Sequence, residues 1–465
     1  MIIEAGRHVE NPLGYEPITK LLIKFAVPAI VAMIVSALYN IVDQIFIGQG
    51  VGYLGNAATT VAFPITTITL AAGTLLGGGA SAYAAIKLGE KKPDVAEKTL
   101  GNMFLLAAAA GILICAVCFL LFEPMLELFG ATPTVMPYAR DYSSIMLLGI
   151  PFMMVSIGLS NMARTDGAPK LSMYSMLAGA ALNAVLDPVY IFVFNWGVKG
   201  AAIATITSQM ISAGILFWYF TKKSNLRLKR ENLRPEMKLV LSFSALGVSN
   251  CIVQSAATIL QIVINKSLVY YGNLSEFGGD IALSAMGIVL KVNAILIGVL
   301  IGISIGAQPI LGFNMGAGKP ERIHETYKTA VFVGSAVAFL GWAACMFFPG
   351  TILKIFGDSG EKFSAFGIKC MTVYLAGVFT AGFQIISTGY FQATGQPLKA
   401  SILSMLRQIL FLIPLILILP MFFGLDGILY AGPVADISSA VIVFIFISHE
   451  MKKLREWKAD NEMSF

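Results

Sequence analysis

The sequence predicts an all-α membrane protein of twelve transmembrane helices, built as two pseudo-symmetric six-helix bundles. Three observations carry that reading. Of the 465 residues, 57% are hydrophobic and only 12% charged, against roughly 45–50% and about 25% in soluble domains. The charges cluster, leaving runs of about 20 apolar residues, the length that crosses a hydrocarbon layer roughly 30 Å thick. The same motifs also recur halfway along the chain.

Twelve runs follow one another. The first, residues 21–48, opens after the polar start MIIEAGRHVENPLGYEPITK. The second, 57–86, ends at GEKKPD, and the third and fourth, 100–122 and 142–161, flank the break at FGATP. After ARTDGAPK come 171–194 and 200–220, separated at NWGVKG. A basic linker precedes 239–271, and 281–313 ends at GAGKPE. The last four are 329–349, 367–391, 401–422 and 428–449. Their length and continuity fit helices, because barrel strands are about ten residues of alternating polarity.

Basic residues set the orientation. Breaks after even-numbered helices hold Lys87, Lys91, Lys92 and Lys98, then Arg164 and Lys170, then seven Lys or Arg between Lys222 and Lys238. Breaks 50–56 and 272–280 hold none. The positive-inside rule then places both termini in the cytoplasm. The expected domains are a cytoplasmic segment 1–20, a six-helix lobe 21–220, a basic linker 221–238, a second lobe 239–449 and a cytoplasmic tail 450–465. The polar start runs into a full-length span, so the first helix reads as an anchor and not a cleaved leader.

The repeat has a fixed offset. Gly79, Ala80, Gly89, Lys92 and Pro93 match Gly306, Ala307, Gly316, Lys319 and Pro320, all 227 residues apart. The same offset pairs Phe129 and Gly130 with Phe356 and Gly357, and Gly197 and Gly200 with Gly424 and Gly427. Shifted by one, Gly167 and Pro169 match Gly395 and Pro397. Six helices per copy gives both halves the same orientation, related by an axis along the membrane normal.

A carboxylate inside a span costs about 2.5–3.5 kcal/mol when ionised and marks a site by default. Asp43, Asp187 and Asp436 stand in spans. Asp43 lies roughly 7 Å and Asp187 roughly 12 Å inside the outer ends of their helices. Asn183 precedes Asp187 by one turn on the same face, and Pro188 frees a carbonyl near Ala184. Two carboxylates, an amide and a carbonyl suit a hard cation; alternatively the two acids share a proton. The plainer reading has Asp187 capping a proline kink and Asp43 at the lipid interface. In the second half, Lys291 and Asp436 reach similar depth, as a buried ion pair or as a substrate site, while Arg407 and Lys266 read as snorkelling charges. In-span prolines, Gly77-Gly78-Gly79 and the 21 methionines fit bendable helices and an adaptable cavity, but also plain packing.

Other classes find no support. A net charge of +6 is too small and scattered for nucleic acid. The CxxC of Cys115 and Cys118 sits in an apolar run and reads as packing. His8, His324 and His449 lie far apart, and no P-loop is present. The expectation is a transporter that is no enzyme, has no cofactor and couples to an ion gradient.

LYNIVDQIFIG, GASAYAAIKLGEKKPD, LNAVLDPVYIF and WGVKGAAIATITSQ, in that order, resemble the multidrug and toxic compound extrusion (MATE) family, in particular its prokaryotic branch with an acidic pair in the N-terminal lobe. The resemblance spans essentially all twelve helices. It implies a V-shaped pair of lobes in a prokaryotic cell membrane, exporting organic cations and amphipathic drugs in exchange for H⁺ or Na⁺. It also implies a cation site of Asp43, Asn183, Asp187 and Thr205, with Tyr39 and Asn161 as further neighbours. Some relatives carry a carboxylate in helix seven or eight; here Gln261 and Lys291 stand there, so Gln261, Lys291 and Asp436 are left as a substrate path or C-lobe pair. The expected partners are small cationic or drug-like molecules and membrane lipid, with the chain a monomer. The alternatives are a flippase or exporter of lipid-linked precursors or polysaccharide, and a membrane-embedded enzyme or receptor.

Overall fold

The structure, a computed structural model, describes residues 2–4, 7–9, 11–355 and 361–463. Phe356 and Gly357, one matched pair of the repeat, lie outside the described residues. After a short hairpin of strands β1 (Ile2–Glu4) and β2 (Arg7–Val9), the chain is helical. The first half comprises α1 (Ile18–Val51), α2 (Tyr53–Gly89), α3 (Pro93–Leu120), the short α4 (Phe122–Leu128), α5 (Met136–Thr165), α6 (Pro169–Pro188) and α7 (Gly197–Lys222). The second comprises α8 (Met237–Asn273), α9 (Gly279–Gly316), α10 (Pro320–Phe347), α11 (Pro349–Ile355), α12 (Glu361–Tyr374), α13 (Ala381–Ala393), α14 (Pro397–Met405), α15 (Ile413–Ile418), α16 (Pro420–Phe423) and α17 (Leu425–Met463).

Eleven of the described helices are long and apolar enough to cross a membrane, and a bent pair makes the twelfth. That pair is α12 with residues 378–393, bent by 42°, where the sequence predicts one run at 367–391. The spans also extend well beyond the predicted apolar runs; the fourth reaches Met136–Thr165 instead of 142–161. Polar first and last turns stay helical because every backbone group near hydrocarbon must bond internally. Pro93, Pro169, Pro320 and Pro397 each open a helix, where a missing N–H goes unnoticed. Two spans widen into π-helical turns, at Val189–Val193 directly after Pro188 and at Leu406–Leu412.

The offset of 227 is realised in space. The halves meet where α1 and α2 pack on α8 and α9. There a Cβ on Gly89 would overlap the Phe313 carbonyl oxygen, and one on Gly316 would overlap that of Ile86. Ile86 and Phe313 are themselves 227 apart, so the exchange is reciprocal about the pseudo-axis. Gly79 on Phe243 and Gly247 on Leu75 extend the glycine seam along α2 and α8. Gly197 and Gly424 share a left-handed turn, with φ of 54° and 58°.

The start of α1, the last turns of α17 and the Gly89–Gly316 crossing lie on one side, here termed the terminal face. The Leu13 carbonyl accepts from Asn314 Nδ2 at 3.0 Å and Arg322 Nη2 at 3.1 Å, and the Glu16 carbonyl accepts from Arg322 at 2.7 Å. The lead into α1 is thereby tied to the α9–α10 turn. On the same side Asp166 anchors the central linker, accepting from the Tyr219 hydroxyl at 2.6 Å and from the N–H groups of Leu226 and Asn225 at 2.8 and 3.2 Å.

Two outcomes follow from this face. Gly316→Val forces α2 and α9 apart and should cost about 1–3 kcal/mol, as overpacking does, read as a lower Tm. Burial pushes the Asp166 carboxyl up from 3.8 to about 6, against the lowering effect of Tyr219 and the two N–H groups. The folded chain thus holds this proton more tightly than the unfolded one, a contribution complete below about pH 4 and lost as pH rises through 6. The Tm advantage of wild type over Asp166→Asn should therefore shrink from about pH 4 to 6; a widening advantage contradicts it.

Candidate cation site

The site is assembled from α1, α6 and α7. Asp43 stands eight residues before the end of α1 at Val51, about 12 Å deep at 1.5 Å per residue. Asp187 stands six residues before the end of its span at Val193, about 9 Å deep. Helices α1 and α6 pack side by side, so similar depth brings the two carboxyl groups close enough to interact. Asp187 is fully buried and Asp43 is 8% exposed. Pro188 ends the α-helix one residue after Asp187, and the π turn beyond it swings the span's end toward α7.

Asn183, one turn before Asp187, joins the pair to α7. Its amide nitrogen donates to Asp187 Oδ2 at 3.0 Å and its oxygen accepts from the Thr205 N–H at 3.3 Å. Tyr39, one turn before Asp43, lines the same cavity wall as Thr205. Asp43 Oδ1 is buried with no protein partner among the described residues. Beyond the pair, Ile47, Ile191, Val198, Ala201 and Ala202 close an apolar cluster that keeps bulk water from that side. On the other side a cavity of about 380 Å³ opens, lined by Tyr39, Asp43, Tyr142, Thr205, Gln209 and, across the seam, Gln254.

The chemistry follows from donor counting. Ionised carboxylates only accept hydrogen bonds, so neither can donate to the other, and two like charges this close disfavour each other's ionised form. The unpartnered Asp43 oxygen leaves one acceptor position open at the pair.

The residues that the sequence singles out do not all meet here. Asp43, Asn183, Asp187, Thr205 and Tyr39 come together. Asn161 does not: it lies near the opposite end of α5, bonding Arg164 at 2.6 Å. Lys291 and Asp436 do not pair. Lys291 is exposed, and Asp436 forms its ion pair with Arg407, which the sequence reading dismisses as snorkelling. Depth was matched correctly, but α9 packs on α1, α2, α10, α12 and α13 and not closely on α17, whereas α17 packs on the π turn that carries Arg407. Gln384 and Thr380 complete that cluster on the Asp436 carbonyl. Gln261 is exposed and, among the described residues, bonds Asn265. Tyr142, buried in the cavity wall, carries no sequence signal beyond an aromatic near a helix start.

The chain was compared with known proteins. The MatE family profile matches residues 28–189 and 246–418. The chain is 26% identical over 434 residues to the multidrug export protein MepA of Staphylococcus aureus (strain NCTC 8325 / PS 47), covering 93% of this chain and 94% of that protein. The solved MATE multidrug transporter DinF-BH in complex with R6G superposes with a TM-score of 0.86 at 33% identity, over 95% of this chain and 98% of that one. A MATE structure in the bent conformation reaches 0.88 at 20% identity over 95% and 97%. With both halves matched by one profile over most of its length, the chain belongs to the MatE family of transporters.

Proposed function

We propose that this chain is a secondary antiporter that exports organic cations and amphipathic drugs across a prokaryotic cell membrane in exchange for protons, acting as a single chain with both termini in the cytoplasm. The observation that carries the proposal is the Asp43–Asp187 pair at the wall of the cavity. A cation entering that cavity and a proton on the pair compete for the same carboxylate charge, which is the thermodynamic requirement for exchange. The close approach of the two carboxyls supports H⁺ over Na⁺, since a proton fits between them where a sodium ion would have to separate them to gain oxygen ligands. The multidrug substrates named for MepA and DinF-BH support the substrate class. The glycine seam and the tied N-terminal segment shut the terminal face, which fits a state that opens outward.

Proton arrival from outside neutralises the pair, removes the charge that holds the substrate cation and lets α1 repack against the π turn of α6. Return of the proton to the cytoplasm restores the charge. In proteoliposomes, an imposed pH gradient should drive efflux of a fluorescent cation. Asp187→Asn, which removes one of the two carboxyls and leaves Asp43 without its acidic partner, should lower that efflux by about tenfold or more. Undiminished efflux in the variant, or efflux driven only by a Na⁺ gradient in wild type, contradicts the proposal.

A further inference from the structure

Arg164 is a buried charge that the cation site leaves unused. It stands in the last turn of α5, at the terminal-face end of the first half, 8% exposed. Its guanidinium donates to Ser172 Oγ at 2.8 Å and to Asn161 Oδ1 at 2.6 Å. Both are neutral oxygens, and among the described residues no carboxylate pairs with it. Asp166, two residues on, is committed to Tyr219, Asn225 and Leu226. The carbonyl end of α5 offsets part of the charge, yet a buried cation ordinarily has an anionic partner.

The bonds leaving Arg164 have a direction. A guanidinium can only donate, so Ser172 Oγ accepts from it and must place its own proton elsewhere. Ser172 is 2% exposed, and the other side-chain oxygen that its hydroxyl meets is Ser160 Oγ, at 2.6 Å. Ser160 therefore accepts, and its own proton is left over. Ser160 is half-buried and lines the same cavity as Asp43. The chain Arg164 to Ser172 to Ser160 thus ends in an O–H, on a residue that lines the cavity, polarised by a buried positive charge. Asp43 and Asp187 lie toward the other end of that cavity.

We propose that the Ser160 end of the cavity is an anion subsite, backed by Arg164, that takes a monovalent anion. Two sources share this chemistry: the carboxylate of an amphoteric substrate whose cationic end faces the acid pair, and chloride. The inference rests on the antiport reading for the cavity's role and adds a second recognition element of opposite sign. The subsite selects among drug-like cations by favouring those that also carry an acid.

The test compares a zwitterionic rhodamine bearing a free carboxylate with its methyl ester, titrated by fluorescence polarisation against the purified full chain in lipid nanodiscs. Gluconate and chloride buffers form the two arms. In gluconate, Arg164→Gln and Ser160→Ala should each shift the ratio of the two Kd values by about tenfold against the carboxylate dye, the size of a lost charge-assisted hydrogen bond, and Arg164→Lys should restore part of it. Ser160→Ala keeps the test alive should Arg164→Gln fail to fold. Chloride that weakens the acid dye in wild type but not in Ser160→Ala assigns the subsite to chloride as well; no chloride effect assigns it to the substrate carboxylate alone. An unchanged ratio in Ser160→Ala overturns the proposal. If the ester fails to bind wild type, the cation reading fails by itself, because the Ser160-dependent binding of the acid dye still decides the subsite.

Discussion

The structure turns on two carboxyl groups placed close together inside an apolar wall. Hydrocarbon offers no water to stabilise an ionised acid, and two like charges in proximity disfavour each other's ionised form. A proton or cation held between Asp43 and Asp187 would relieve both costs. Everything nearby serves that condition. Asn183 ties Asp187 to α7, Tyr39 and Thr205 line the same cavity wall, and the cluster around Ile47 and Ile191 closes the far side. The widened turn after Pro188 leaves α6 the backbone slack to repack when the charge changes.

The duplication makes the scaffold and then departs from it. Gly89 and Gly316 exchange contacts with Phe313 and Ile86 in a symmetric crossing, and paired left-handed glycines close matching turns. Yet the chemistry is divided. The first half keeps an acid pair and an isolated buried arginine, while the second half holds a neutralised Arg407–Asp436 pair set among Gln384, Thr380 and Ser439. Removing either charge of that pair would strand the other, so its two members depend on each other. Among the described residues, only the first half sets two carboxyls close together beside the cavity.

Much of this was legible from the residues. Span count, the repeat and the equal depth of Asp43 and Asp187 follow from apolar length, offset and helix rise. Asn183 follows from a spacing of four. Thr205 and Tyr39 came through family resemblance, since a hydroxyl in an apolar helix has no signature of its own. What failed was neighbourhood. Lys291 and Asp436 share a depth, as do Arg407 and Asp436, and only the packing order of helices separates the true pair from the false one. Asn161 was placed at the cation site although it lies near the opposite end of its helix. The bend between α12 and α13 was hidden inside a continuous apolar run, and the direction of the Arg164 bonds exists only once three side chains from two helices are seen together.

Exchange through a shared proton makes a stoichiometric demand on binding alone, before any transport. Mixing the purified chain with a fluorescent organic cation in weakly buffered solution near neutral pH, with a pH indicator present, reads the proton directly. Displacement of the shared proton predicts release of about one proton per cation bound, abolished in Asp187→Asn. Binding without proton release in wild type, or equal release from the variant, would show that the Asp43–Asp187 pair does not couple the two.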